Sequence, residues 1–135
     1  MIFHSKRKFK LWAYTVSHNS LLLRSYLQFP DEEGYSNETS YNIDMEFLFV
    51  EYIEVKSALD SISISIMEKE ELSVDLKEKF DSFRGKIFEI LSGKKKYYII
   101  ADSLIIGRNK WVREDRVFNH DLNLHHDEIL VSIPH

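Results

Sequence analysis

The chain has 135 residues, of which 44% are hydrophobic, 13% aromatic and 30% charged, with a formal net charge of −4. Apolar content at this level offsets the entropy of ordering the chain and excludes a disordered or fibrous class, and the length supports one core rather than two, so a single domain over 1–135 is expected. The absence of cysteine excludes disulfide scaffolds, thiol nucleophiles and thiolate metal sites together.

The same absence points to a reducing compartment, so the cytoplasm is the expected location. The N-terminal MIFHSKRKFK is basic but lacks the apolar core of a signal peptide, and no window reaches the ~18 apolar residues of a membrane span; a soluble, unprocessed chain with no membrane partner is expected. Mild acidity argues against nucleic acid as a partner, since a nucleic-acid binder needs a concentrated basic face, and it suits a partner that is itself basic.

Taken in chain order, KLWAYTVSHNSLLLRSYLQ reads as two strands around a turn at His18, Asn19 and Ser20. A two-residue loop, preferred over a three-residue one although the turn lacks an Asn-Gly pair, would set His18 opposite Leu21, Tyr14 opposite Ser25 and Trp12 opposite Leu27. That register collects Trp12, Tyr14, Val16, Leu23 and Leu27 on one side and leaves Thr15, Ser17, Arg24 and Gln28 on the other. FPDEEGYSNETSYN, from Phe29 to Asn42, carries the proline, glycine, asparagine and acids of a long surface loop.

NIDMEFLFVEYIEV follows with two rows. Ile43, Met45, Phe47, Phe49, Ile53 and Val55 form a core row; Asp44, Glu46, Leu48, Val50, Tyr52 and Glu54 form a back face expected to be partly covered. Glu51 stands in the apolar row, where a lone carboxylate is costly. Either a bulge near Val50 or Glu51, or a simple edge position, turns it to water, which is the preferred reading, or it points inward to a cation such as Arg24.

SISISIM, from Ser61 to Met67, places Ile62, Ile64 and Ile66 in the core and a row of serines outside, suited to water, a second segment or a partner. The period then changes. Leu72, Leu76, Phe80 and Phe83 recur at helical spacing, with Ser73 as N-cap and an Asp75 to Lys79 pair, so one helix over about 73–84 is expected to pack on the sheet, ending at Gly85. KIFEIL, a turn at 92–95 and KYYIIADSLIIG return to strand, the last long enough to need a bend near Asp102 and Ser103; beyond a polar, weakly periodic stretch, EILVSI forms a short final strand. The fold class is mainly β, of the α+β kind: an antiparallel sheet curled as a roll, partial barrel or sandwich with one packed helix.

Chemical signatures are sparse. His120, His125, His126 and His135 crowd Asp121, Asp127 and Glu128 near the C-terminus, a composition that could hold a divalent ion, but the spacing matches no metal motif and no metal site is assigned. There is no nucleophile elbow, although the fold could bring His18 near the serine row, and the glycines never cluster into a phosphate cradle, so no catalytic residue and no cofactor are assigned. Asp44 and Glu46, two apart on one strand face, have the spacing of an acid/base pair and equally that of a solvated strand. The short basic runs at Lys6 to Lys8 and Lys94 to Lys96 are of the kind that meets water. The aromatics are the least ordinary feature: Trp12, Tyr14 and Tyr26 near Arg24, with Tyr52 on the next long strand, offer the amphipathic surface enriched in interfaces.

LWAYTVSHNSLLLRS, followed by NIDMEFLFVEYIEV and later YYIIADSLIIG, resembles a family of small bacterial proteins with no assigned activity; the resemblance implies a bacterial cytoplasmic setting and carries over no functional residue. The expected function is that of a non-enzymatic protein-interaction domain, an inhibitor or immunity-type partner of another bacterial protein, using Tyr14, Arg24, Tyr26, Glu51 and Tyr52. The alternative is a small-molecule-binding or enzymatic domain whose curled sheet encloses a pocket lined by Tyr14, Arg24, Glu51 and Tyr52. A homo-oligomer paired through the serine-faced strand is a third reading.

Overall fold

The computed structural model describes every residue except 120 and 122. Among the described residues seven strands form one antiparallel sheet: β1 (Phe3–Thr15), β2 (Ser20–Ser25), β3 (Asn42–Glu54), β4 (Ala58–Met67), β5 (Lys86–Ser92), β6 (Lys95–Asn109) and β7 (Glu128–Ile133). The strands lie in the order β3-β2-β1-β4-β5-β6-β7, and a further pairing of β3 with β6 closes six of them into a ring. β6 is long enough to pair with β5 through Lys95 to Ala101 and with β7 through Leu104 to Arg108, while β3 runs along its other side. No helix of the described residues is long and apolar enough to cross a membrane.

Alternation decides the inside. Phe9, Leu21, Leu23, Met45, Phe47, Ile62, Ile64, Phe88, Ile90, Ile99 and Ile106 meet in the ring's interior, each no more than 1% exposed. At ~25 cal/mol per Å2 of apolar surface, a well-buried side chain of this size contributes ~1.5–3 kcal/mol, so this filled interior is the main stabilising element. Ile66 joins it from a partly buried position, so the expected isoleucine row is borne out. Its serine row faces outward, with Ser61 exposed, Ser63 and Ser65 half-buried and Ser63 Oγ 2.9 Å from Nδ1 of His4, not His18.

Two expectations are overturned by backbone irregularities. In the first hairpin Thr15 pairs with Ser20, Tyr14 with Leu21 and Ala13 with Leu22, which leaves a four-residue loop, and a bulge at Trp12 shifts the ladder between Leu11 and Ala13. Asn19 supplies the positive φ (47°) that the longer loop requires, and its side-chain amide type tolerates it. Leu21 and Leu23 therefore point inward, whereas Trp12 projects outward with Arg24, not inward with Leu23.

Phe49 is the second. It was expected in the core and is 64% exposed, because its φ of 52° flips its side chain out of the ladder. Val50 takes the inward position, and its N–H donates to Asn19 O at 2.8 Å, which ties the hairpin loop to β3. Across the ladder β6 makes the matching change of phase, its inward residues passing from Ala101 to Leu104 over the expected bend at Asp102 and Ser103. Glu51 is the extra residue in the register shift between Val50 and Tyr52 and is exposed, so the bulge reading holds.

The outside of the ring is covered in two places. α1 (Val74–Lys79), shorter than expected, starts at Ser73, whose Oγ accepts from Leu76 N–H at 3.3 Å. Leu72, Leu76, Phe80 and Phe83 from this region pack on Ile87, Tyr98, Ile100 and Tyr52. Lys79 at the end of α1 pairs with Glu54 at the end of β3 at 3.0 Å. The second cover is the connection between β6 and β7, whose Val117 packs on Ala13 and Leu22.

Candidate functional site

The outer face of β2, β3 and β6 carries polar residues at positions that strand pairing forces together. Arg24 stands opposite Asp44, Asp44 opposite Gly107, and Asn42 opposite Asn109. In an uncovered sheet these would be solvated. Here the β6–β7 connection lies over them, and Arg24, Asp44, Asn42 and Asn109 are all 0% exposed.

Burial at that depth is costly for any polar group left unpaired. Arg24 Nε donates to Asp44 Oδ1 at 2.6 Å and Nη2 to Oδ2 at 2.8 Å, with a third bond from Nη2 to Glu114 O at 3.0 Å. Asn109 Nδ2 donates to Asp44 Oδ2 (2.9 Å) and to His126 Nδ1 (3.2 Å), while its Oδ1 accepts from Asn42 Nδ2 (2.8 Å) and Trp111 N (3.2 Å). Asn42 completes the circuit, accepting from Leu27 N at 2.7 Å and donating to Trp111 O at 2.6 Å. With Nδ1 accepting, the proton of His126 sits on Nε2, which donates to Glu46 Oε2 at 3.0 Å; Arg116 Nη1 reaches the other oxygen of Glu46 at 3.3 Å. The His126 ring also lies against Trp111, centroids 5.2 Å apart.

Asp44, Glu46 and His126 bring three ligand-type atoms within 4.8 Å of one another. Their existing partners argue against a cation. Arg24 and Arg116 already balance the two carboxylates, and a divalent ion would leave a buried excess of positive charge unless those bonds were broken. The arrangement acts as a latch that holds the connection on the ring. His125 is exposed and His135 lies 3.8 Å from Asp102, so among the described residues only His126 of the C-terminal histidines joins a cluster of ligand-type groups; His120 falls outside the described residues.

Beside the latch the surface changes character. Trp12 stacks on Tyr26 with centroids 5.5 Å apart and planes 15° from parallel, its ring also lies 5.3 Å from the Arg24 guanidinium, and Tyr26 meets Phe29 edge-on. Trp12, Tyr26 and Phe29 are 38%, 36% and 40% exposed. Lys8 and Lys10 border Trp12 and Tyr26 in a shallow cleft with Arg24 at its floor. Arg24 Nη1 is buried there without a hydrogen-bond partner.

The residues expected to share a pocket are scattered. Arg24 pairs with Asp44 and not with Glu51, whose Oε1 accepts from the backbone N–H groups of Arg84 (3.2 Å) and Gly85 (2.5 Å). Gly85 is thus a close-approach position, where a Cβ would lie 2.8 Å from Glu51 Oε1 and 2.9 Å from Ala101 O. Tyr52 packs on Phe80 and Phe83 at 5.2 and 5.6 Å in the helix-covered cluster. Tyr14 sits at the hairpin end, 41% exposed, with its hydroxyl 3.3 Å from Asn19 Oδ1. Only Arg24 and Tyr26 of the five come together, and they do so with Trp12. The ring's interior is filled by the side chains named above, and Tyr14, Arg24, Glu51 and Tyr52 are not among them.

Asn42, Asn109, Trp111 and His126 were not singled out as a group by sequence. The outward parity of Asp44 and Glu46 together with the crowded C-terminal histidines was the available signal, and linking them needed the β3–β6 register. The chain matches no family model, no curated protein and no solved structure.

Proposed function

We propose that this chain is a non-enzymatic protein-interaction domain, a cytoplasmic bacterial protein that binds another protein through the face built by Trp12, Tyr26 and Phe29. The observation that carries this reading is the half-exposed aromatic stack: Trp12 on Tyr26 and Tyr26 against Phe29, with the Arg24 guanidinium over the Trp12 ring. Rigid aromatics lose little entropy on binding and dominate interface energetics. The carboxylates and the imidazole of the polar network close by are paired with one another and with Arg24, Arg116 and Asn109, which supports a binding role rather than catalysis. Lys8 and Lys10 flank the stack, so the local sign of this face is positive even though the chain as a whole is acidic, and it favours an acidic partner over the basic one that average charge suggests.

The test is quantitative affinity enrichment from the native cell extract with the wild-type chain and with Trp12→Ala/Tyr26→Ala, both shown to be folded by circular dichroism. A stoichiometric partner retained by the first and lost by the second is the expected result. The same proteins recovered with both would overturn the reading.

A further inference from the structure

Arg7 is paired unlike any other arginine of the described residues. Its Nε donates to Ser25 Oγ at 2.9 Å, and its Nη2 donates to three backbone carbonyls, Tyr41 O at 2.7 Å, Ser25 O at 3.1 Å and Tyr26 O at 3.3 Å. These acceptors fix the guanidinium in place but carry no net charge. No ion pair of the described residues involves Arg7, Lys8 or Lys10. Arg7 is partly desolvated, and burial lowers its pKa from the ordinary arginine value, with Tyr41 acting in the opposite direction. Its Nη1 is buried and has no hydrogen-bond partner, as is Oε1 of the neighbouring Gln28.

Arg7, Lys8, Ser25, Gln28 and Thr39 line a cleft of about 330 Å3. It shares Lys8 and Tyr26 with the cleft beside Trp12, so the two form one continuous groove along β1. A fixed, partly desolvated cation next to two exposed lysines that make no ion pair, Lys8 with Asp60 opposite it on β4, is complementary to an anionic group. We infer that this groove is an anion-binding subsite for an acidic peptide segment, one carboxylate entering between Arg7 and Lys8 while an apolar or aromatic side chain of the same segment lies on the Trp12 and Tyr26 rings. The inference rests on the interaction reading above and adds the chemistry of the ligand. A peptide is favoured over a nucleic acid because the net charge of −4 repels a polyanion at long range.

The experiment is a backbone-amide NMR titration of the full chain with three probes: an unstructured peptide rich in glutamate and containing a tyrosine, its glutamine counterpart, and an oligodeoxythymidine of similar length. The expected result is saturable shifts centred on Ser25, Gln28 and Thr39 with the glutamate peptide, binding about tenfold weaker for the glutamine peptide, and a similar loss in Lys8→Glu/Lys10→Glu. Because those lysines are exposed, the variant tests the charge without risking the fold. Equal binding of both peptides, binding indifferent to the lysine variant, or no saturable binding overturns the subsite. Tighter binding of the oligonucleotide also overturns it, in favour of nucleic acid. Capture of a partner that needs Trp12 and Tyr26 but tolerates Lys8→Glu/Lys10→Glu leaves the interaction reading standing and removes this subsite alone.

Discussion

Arg24 on β2 meets Asp44 on β3 through two parallel bonds of 2.6 and 2.8 Å, and neither side chain reaches solvent. The pair lies outside the ring yet under cover, so its cost of desolvation is offset only while both charges and the capping connection are in place. Asp44→Asn is therefore expected to destabilise the chain by ~3–5 kcal/mol, because it leaves a guanidinium buried without its counter-charge. Urea denaturation measures this. Arg24→Met/Asp44→Leu, which removes both charges, should recover most of the loss, and a double variant no more stable than the single one contradicts the account.

Gly107 and His126 form a second coupled pair. A Cβ at position 107 would overlap the His126 imidazole, so Gly107→Ala must displace the ring from between Glu46 and Asn109. A loss of ~1–3 kcal/mol is expected from the overpacking, with faster amide exchange at Asp127, whose N–H donates to Arg108 O at 2.8 Å. His126→Ala in the same background should add little further, since the contact it deletes is already broken. Additive losses would show that the two positions act independently.

Zinc makes a separate prediction. Because Arg24 and Arg116 already neutralise Asp44 and Glu46, neither zinc nor a chelator should move the urea midpoint. A ligand that bound the folded state at a hundred times its dissociation constant would add ~2.7 kcal/mol. A shift of that order would mean that the ion displaces the arginines.

Tyr98 reports on alkaline stability. Burial, reinforced by its hydrogen bond to Glu89 Oε2 at 3.0 Å, pushes its pKa up to about 12. The folded state thus holds this proton more tightly than the unfolded state, whose tyrosines ionise near ~10. The contribution is fully present below ~10 and is lost as pH rises towards 12. Tyr98→Phe should flatten that part of the pH–stability curve, and an unchanged slope would refute the assignment.

Much of the architecture was readable from local pattern. Ile62, Ile64 and Phe47 face the core because alternation on a strand is decided by neighbours two positions away. Ser73 caps a helix because its hydroxyl needs only the N–H three residues on. Glu51 betrayed its bulge for the same reason, since one carboxylate out of phase in an apolar row is a local contradiction.

The site was not legible in this way. Phe49 obeys the alternation in sequence and breaks it in space, because the sign of its φ depends on how β3 accommodates the Asn19 loop and the bend of β6. Arg24 has Asp44 as its partner by virtue of the β2–β3 register, and His126 reaches Glu46 across 80 positions of chain. Sequence alone determined that there is an antiparallel sheet with an apolar inside and a helix packed upon it, since burial parity and capping are short-range. Tertiary structure decided which outward polar residues are buried, which charges cancel and which cations along β1 make no ion pair, because those outcomes depend on contacts between strands and a connection far apart in the chain.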